Sequence, residues 1–596
     1  MIKKKNTNSM AHYLHKCKHF FCCLLLLLFS SSILALENRQ MSPRSSHIDE
    51  ASGIELKRIS SNTYNQELNT SIELVVELLQ HNEPLVNANV SWFIDQTLAS
   101  SNTQQGAYFV SNGATNLVEF TTQTDSNGQA RVSVFIGNVI SQFQIRAQAS
   151  ELLSGSFVSQ EFQITAGVGA AINVGTPEQE IASTLDALCP LLQSNESSIS
   201  TEQQALLNRC KELQTAIVQG QTLEAANALR EISPEEVAIQ SAVSSSFSGQ
   251  QMSNIASRLS AVRKGSQSIS LSMFSLRIKD YQLPSYLVKD FVKNVFAVNE
   301  NESDVSSLLS NKVGIFLNGN VSIGTRNTSN NEDGFAFDSY GLTIGGDYRI
   351  KRNSFLGIAF GLSKSKVDIS NNGGDLTANG KNIAVYASHY LNQQTYFDGV
   401  VSFGHNQYEM NRNIKFVLAG NPTDRTASSN TQGKLTAVSL GGGYELNDDA
   451  LLMTFFARMN YSSSQIDRFT ESGAEELNLI IEKQKMDNLN SSFGAQASYT
   501  HSTRWAVLIP FLSFSWEHEF KSEANQINGS FADSNLTSNF TVNTEKLDSN
   551  YFTSAQGISL VLPRGISAFF RFETLLGREF YTVNNFSFGG RWELNF

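Results

Sequence analysis

Once the first 35 residues are set aside, six histidines remain: His47, His81, His389, His405, His501 and His518. They lie on different segments, whereas a metal centre or a Ser–His–Asp triad needs its members on elements that converge. His389 and His405 fall on adjacent strand-like runs and could approach each other, although ordinary strand positions account for them better. No HExxH, CxxC, GxxxxGKS/T or GxSxG occurs in the chain. Zinc hydrolysis, dithiol redox chemistry, phosphate cradling and nucleophile-elbow catalysis therefore lack their signatures. Asp375, in the run NNGGDLTANG, is a carboxylate in what reads as an exposed loop. No catalytic residue, cofactor or metal is expected, and the chain reads as a non-enzyme.

The residues with definite physical work are of other kinds. The stretch Met1 to Lys18 carries Lys3, Lys4, Lys5, Lys16 and Lys18 and no acidic residue. FFCCLLLLLF and SSSILA follow, so residues 1–35 read as a secretory signal cleaved after Ala35. Three of the five cysteines leave with it. The remaining two, Cys189 and Cys210, enter an oxidising compartment and are expected to form a disulfide. Loss of the signal lysines takes the formal charge from −11 to about −16. So acidic an exported chain is a poor match for phosphates, which argues against nucleic acid as a partner. No later stretch approaches the roughly 20 apolar residues of a membrane-spanning helix, so membrane insertion requires a β-barrel.

A second group of charges alternates with apolar neighbours: Asp347, Arg349, Arg458, Arg571, Glu573, Arg591 and Glu593. In a strand, such alternation puts charge on one face and grease on the other. The final run shows it most clearly, with Phe586, Phe588, Trp592, Leu594 and Phe596 on one side and Ser587, Arg591, Glu593 and Asn595 on the other. Twelve such runs are legible from Val313 to Phe596, among them Lys381–Leu391, Thr395–Met410 and Gly433–Leu446. Each meets the nine to eleven residues a tilted spanning strand needs. Their connections alternate in length: KRN, NQQ, NDD, HST and PRG are short, and the intervening ones are long and polar. Short turns on one side and longer loops on the other, with an even strand number, describe an outer-membrane barrel over residues 312–596. The seven charges would line its pore, and an even count leaves both barrel ends on the short-turn side.

The run VGIFLNGNVSIG, FDSYGLTIGGDYRI, SFLGIAFGLS, WEHEF, ISAFFRFETLLG and FSFGGRWELNF resembles the autotransporter β-domain of type V secretion. The resemblance implies secretion or display of the N-terminal region, with a helix threading the barrel. It also implies export by the Sec translocon, insertion into outer-membrane lipid and recognition of the last strand by the barrel-assembly machinery.

Ahead of the barrel, residues 50–166 show about seven short strands with turns such as Asn127-Gly128, the pattern of an Ig-like β-sandwich. PLVNANVSW and TDSNGQARVSV resemble the invasin/intimin type of bacterial Ig-like domain. Residues 176–264 are helical: Ile181, Leu185, Leu188 and Leu192 recur at helix spacing, as do Leu206, Cys210, Leu213 and Ile217. Ser200 and Gln203 form a capping box, and Ser233-Pro234-Glu235-Glu236 reads as another helix start. Residues 265–311 form a connector. Either Pro234–Lys264 or Tyr286–Val298 could supply the pore helix. The fold class is mainly β: a sandwich, a helical linker and a twelve-stranded barrel. The leading function is display of an adhesin-like module to a host or cell-surface receptor. The alternative is a structural or pore-forming barrel whose N-terminal region stays periplasmic.

Overall fold

The computed structural model describes residues 46–49, 53–95, 106–111, 114–150, 157–172, 176–263, 277–278, 281–282, 313–351, 353–503, 506–532, 539–561 and 566–592. The signal segment, most of the connector (including Tyr286–Val298), and Glu593, Leu594 and Phe596 lie outside them.

The C-terminal region is a closed barrel of twelve antiparallel strands. The first six are β1 (Val313–Arg326), β2 (Phe335–Lys351), β3 (Ser354–Ile369), β4 (Gly374–Tyr390), β5 (Thr395–Leu418) and β6 (Asn421–Asp448). The others are β7 (Leu451–Ile466), β8 (Gln484–Tyr499), β9 (Val507–Glu519), β10 (Asn550–Val561), β11 (Ile566–Leu576) and β12 (Tyr581–Trp592). Strand β1 pairs with both β2 and β12, and β8 pairs with β9, which closes the sheet and removes its edges. Period-two burial runs through the wall: on β3, Leu356, Ile358, Phe360 and Leu362 are exposed while Phe355, Ala359, Ser365 and Val367 are buried. On the outside, rings bridge neighbouring strands, as between Phe514 and Phe552 at 5.4 Å and between Phe572 and Phe586 at 5.2 Å.

The long-loop end departs from the sequence expectation in two places. Segment 411–432 continues the β5–β6 ladder without a break, so these strands run 24 and 28 residues and turn at Ala419-Gly420. At about 3.4 Å per residue β5 is about 80 Å long, against a hydrocarbon core of about 30 Å. Ile414, Phe416 and Leu418 keep the alternation going because their face is covered by protein rather than lipid. The second departure joins two polar loops. Phe469–Thr470, Leu479–Ile481, Gln526–Phe531 and Asn539–Asn543 form a four-stranded sheet around Leu477, Ile527, Phe531 and Phe540. Asp375, expected in a loop, lies in β4 and accepts a hydrogen bond from Asn411 at 3.1 Å.

Upstream of the barrel, two sheets share one apolar core, with Val90, Trp92, Ile94, Phe162 and Ile164 on one sheet and Leu74, Val76, Phe109, Val132 and Val134 on the other. Phe109 and Phe120 meet across the gap at 6.3 Å. Four helices follow: α1 (Pro177–Ser194), α2 (Thr201–Val218), α3 (Thr222–Ile232) and α4 (Ala238–Arg263). Thr176 caps α1, and Ser200 with Gln203 forms the capping box of α2. The start expected at Ser233 is displaced. Ser233 ends α3, and a 3-10 turn over Glu235–Val237 precedes α4. Cys189 and Cys210 form a disulfide between α1 and α2, with their Cα atoms 5.9 Å apart.

Sandwich and helices are latched by one carboxylate. Asp186 of α1 accepts the backbone N–H groups of Val168 and Gly169 at 2.7 and 2.8 Å. Burial pushes the Asp186 carboxyl up to about 6, against the pull of those amides. A Cβ at Gly167 would overlap that carboxyl. Gly167→Ala is therefore expected to weaken the junction by about 1–3 kcal/mol. Limited proteolysis of the purified protein should then cut faster between the sandwich and α1; unchanged cleavage would show that the latch carries no strain.

Candidate functional site in the barrel lumen

Helix α4 lies inside the barrel, touching strands β1 to β7. Its 26 residues span about 39 Å at 1.5 Å per residue, enough to cross a bilayer core. Ser, Gln and Asn dominate it because the wall it meets is polar. Ser244 hydrogen-bonds Ser464 at 2.7 Å and receives the Asn406 amide at 3.2 Å. Further along, Asn254 donates to Thr343 at 2.9 Å, and the Asn318 amide donates to the Asn254 carbonyl at 2.9 Å. The helix can come this close because Gly380 faces it, where a Cβ would sit 2.7 Å from the Phe247 ring. Ile255 and Leu259 fill a small apolar cluster with Phe316, Ala359, Ala384 and Val400.

Each end carries a charged anchor. Toward the short-turn rim, the Arg258 guanidinium bonds Asp347 through Nε at 2.7 Å and Nη2 at 3.0 Å, and the Tyr386 hydroxyl donates to the same carboxylate at 3.1 Å. At the long-loop rim, Arg412 of β5 grips Glu471 at 3.1 and 2.9 Å and donates to the carbonyls of Glu231 and Ile232 at the end of α3. Glu235 and Glu236 are buried beside it. Burial, then the neighbouring Glu236 charge, pushes the Glu235 carboxyl well above the usual range, and burial raises Glu236 to about 8 against the pull of Arg412. Arg230 adds Asp333 at 3.1 Å and Glu178 at 3.0 Å, and Arg209 adds Glu476 at 2.9 Å. Helices α1–α3 are thereby docked on the rim, α1 against Asn539–Asn543 and α3 against β5.

The other face of α4 borders a cavity of about 690 Å³ lined by Ser241, Ser245 and Ser257 of the helix and by Arg458, Glu517, Arg571, Glu573 and Arg578 of the wall. Arg458 bonds Asp398 at 2.7 Å and Ser439 at 2.9 Å, and Arg571 pairs with Glu573. Such a space is large enough for water and is lined by fixed charge.

The expected pore-lining residues therefore separate. Asp347 holds the helix, while Arg458, Arg571 and Glu573 border the cavity. Arg349 sits part-buried opposite Phe355 near the short-turn end of β2. Arg591 pairs with Ser567 in backbone register, and its side chain and Glu593 lie outside the described residues. Phe586 and Phe588 are on the outer wall, Phe588 against Gly319; Trp592 ends β12. His389 and His405 are not brought together, since the register puts His389 opposite Phe397 and His405 opposite Lys381. Arg258, Arg412 and Glu471 were not singled out in the sequence, and Glu235 was read only as part of a helix start. Their only signal was charge within otherwise uncharged or loop-like stretches.

Residues 315–573 match the autotransporter beta-domain family model. The chain is 26% identical over 192 residues to an uncharacterized protein in the trpE-trpG intergenic region of Pseudomonas putida, covering 32% of this chain and 31% of that one. It is 24% identical over 193 residues to esterase EstA of Pseudomonas aeruginosa, covering 32% and 29%. The chain thus spans about a third of the length of the curated relatives it matches. Similar solved folds include the translocator domain of NalP from Neisseria meningitidis, with TM-score 0.38, 16% identity, and coverage of 52% of this chain and 96% of that one. The transport unit of AIDA-I from Escherichia coli gives TM-score 0.32 and 14% identity, covering 52% and 97%. Over residues 315–573 the barrel is thus similar to autotransporter β-domains, and that match indicates the Gram-negative outer membrane. Barrels of this type contact membrane lipid and in general involve Sec export and the barrel-assembly machinery.

Proposed function

We propose that this protein uses its barrel as an outer-membrane anchor and displays the sandwich and helical region at the cell surface, where an Ig-like module of the invasin/intimin type serves adhesion to a host or cell-surface receptor. The observation that carries the reading is the direction of α4. Its N-terminal end meets the long-loop rim and its C-terminal end meets Asp347 near the short turns, so everything before Ala238 emerges on the long-loop side. Long loops face outward in bacterial barrels. The charged contacts of Arg209, Arg230 and Arg412 support a region docked on that rim. The cavity beside α4 supports a second reading, a pore-forming barrel with a periplasmic N-terminal region. An esterase name attaches to a relative of which this chain matches only 29%, and our reading assigns the chain no turnover.

Single cysteines separate the two. Ser126 lies in an exposed sandwich turn and Gln393 in a short barrel turn. A membrane-impermeant maleimide should label Ser126→Cys on intact cells and Gln393→Cys only after the outer membrane is permeabilised. Protection of Ser126→Cys until permeabilisation would reject display in favour of the periplasmic reading.

A further inference from the structure

On four consecutive strands, the outward apolar run ends toward the long-loop rim in basic side chains. On β3, Leu362 gives way to Lys364; on β4, Ile383 to Lys381; on β5, Phe403 to His405; on β6, Val438 and Thr436 to Lys434. All four basic residues are exposed. The register sets Lys381 opposite His405 and His405 opposite Lys434, with Leu362 opposite Lys381. Lys381 and Lys434 thus flank His405 from its two neighbouring strands, and with strands about 4.8 Å apart the two ammonium groups share one patch about 10 Å across. One pleat further out, Lys364, Asn379, Gln407 and Gln432 follow one another in register, adding amide donors to the same surface. Among the described residues none of these three lysines forms an ion pair. Lys366 is left out because Asp338 lies opposite it.

The rest of the wall lacks this arrangement. Lys485 and Lys521, on the β8 side, both face Asp487, at 3.2 and 3.8 Å. On β9, β10 and β12 the corresponding positions are His518, which hydrogen-bonds Asn550 at 2.9 Å, and the neutral Asn550 and Asn584. Interfacial lysines ordinarily snorkel singly from the bilayer edge. Lysines on alternate strands with no acidic residue in their register rows form a patch that one multivalent anion can bridge.

We propose that the outer face of β3–β6 is a binding site for a phosphorylated glycolipid of the outer leaflet, its head-group phosphates held by Lys364, Lys381 and Lys434. The acyl chains then lie along Ile383, Val385, Val401, Phe403 and Leu440, all exposed on the same strands just below the basic row. Phosphate suits the site because the lysines supply charge and Asn379, Gln407 and Gln432 supply hydrogen bonds to the remaining oxygens. The inference rests on the outward reading of the long-loop rim. Labelling at Ser126 tests that orientation without reference to lipid, so the two can fail separately.

The test is lipid retention by purified full-length protein in detergent, read by native mass spectrometry. The probes are a bis-phosphorylated diglucosamine lipid, its dephosphorylated form and phosphatidylglycerol. The parent should retain the bis-phosphorylated lipid in preference to both others. Lys364→Gln/Lys381→Gln/Lys434→Gln should weaken that retention about 10- to 100-fold, while Lys485→Gln/Lys521→Gln should not change it. Heat-modifiable migration on gels identifies folded barrel in every sample. Equal retention by parent and triple variant, or indifference to loss of the phosphates, would overturn the site. Phosphatidylglycerol bound as tightly as the glycolipid would overturn its assignment to the outer leaflet.

Discussion

Arg258→Ala is expected to free the inner half of the lumen helix and raise the ion conductance of the barrel in planar bilayers several-fold. The side chain makes two hydrogen bonds to Asp347, sits 5.5 Å from the Phe316 ring centre and is almost fully enclosed, as is its partner. Removing one member of a buried pair leaves the other charge without compensation, a loss of about 3–5 kcal/mol when both are shielded from water. The polar contacts of Asn254 and Ser244 are neutral hydrogen bonds, each worth about 1 kcal/mol, so they hold the helix less firmly than the ion pair does. Adding Asp347→Asn removes the orphan charge and should recover part of the low conductance. A single variant that conducts like the parent would mean that α4 is held by packing and its outer anchor alone.

Arg412→Met is the second large effect, and it acts at the opposite rim. The guanidinium pairs with the buried Glu471, acts on the neighbouring buried Glu236 and tethers the last carbonyls of α3, while Arg230 faces Glu235 at 3.7 Å. Methionine keeps much of the volume and removes the charge, so the docked helices should lose protection by about 3–5 kcal/mol. The sign of the pH dependence follows from the two glutamates. Their carboxyls are raised when folded, so between the ordinary value near 4.5 and about 8 the folded state binds more protons than the unfolded one. Stability therefore falls as pH rises through that window. Without Arg412 the carboxyls rise further and the fall steepens. Hydrogen exchange over Thr222–Ile232 should show a modest difference between parent and variant at pH 5, from the lost carbonyl tethers, and a larger one at pH 8. Equal protection at pH 8 would remove Arg412 from the docking.

The barrel was legible because lipid on one side and water on the other impose a rule that each strand obeys independently. Leu451, Met453 and Phe455 against Thr454 and Arg458 can be sorted without knowing what lies beside them. The hairpin beyond Met410 was misread although Ile414, Phe416 and Leu418 kept the period. Asn413, Lys415 and the polar run 421–432 looked like a solvated loop, and only the docking of α3 explains why the inner face is apolar. The small rim sheet escaped notice for a related reason. Its strands are two to six residues long and pair across loops more than forty residues apart, as Leu479 does with Phe531. Two segments, Pro234–Lys264 and Tyr286–Val298, were candidates for the pore, the first favoured by length and polar composition and the second by its closeness to β1. The structure places α4 in the lumen, where the Arg258 charge meets the Asp347 carboxylate on β2, and Tyr286–Val298 lies outside the described residues.

What the sequence determined by itself was local: the strand count, the lipid-facing sides, the helical region and its capping box. These rest on periodicity and on residues close together in the chain, where the solvent boundary or the backbone sets the preference. What the tertiary structure decided was which charges meet. Arg258 and Asp347 are 89 residues apart, Arg412 and Glu471 are 59, and Arg209 and Glu476 are 267. Such pairs depend on strand register, on the path of the helix through the barrel and on how two loops fold together. A single charged residue in a polar stretch looks the same whether it faces water or a buried partner, and only burial distinguishes the two.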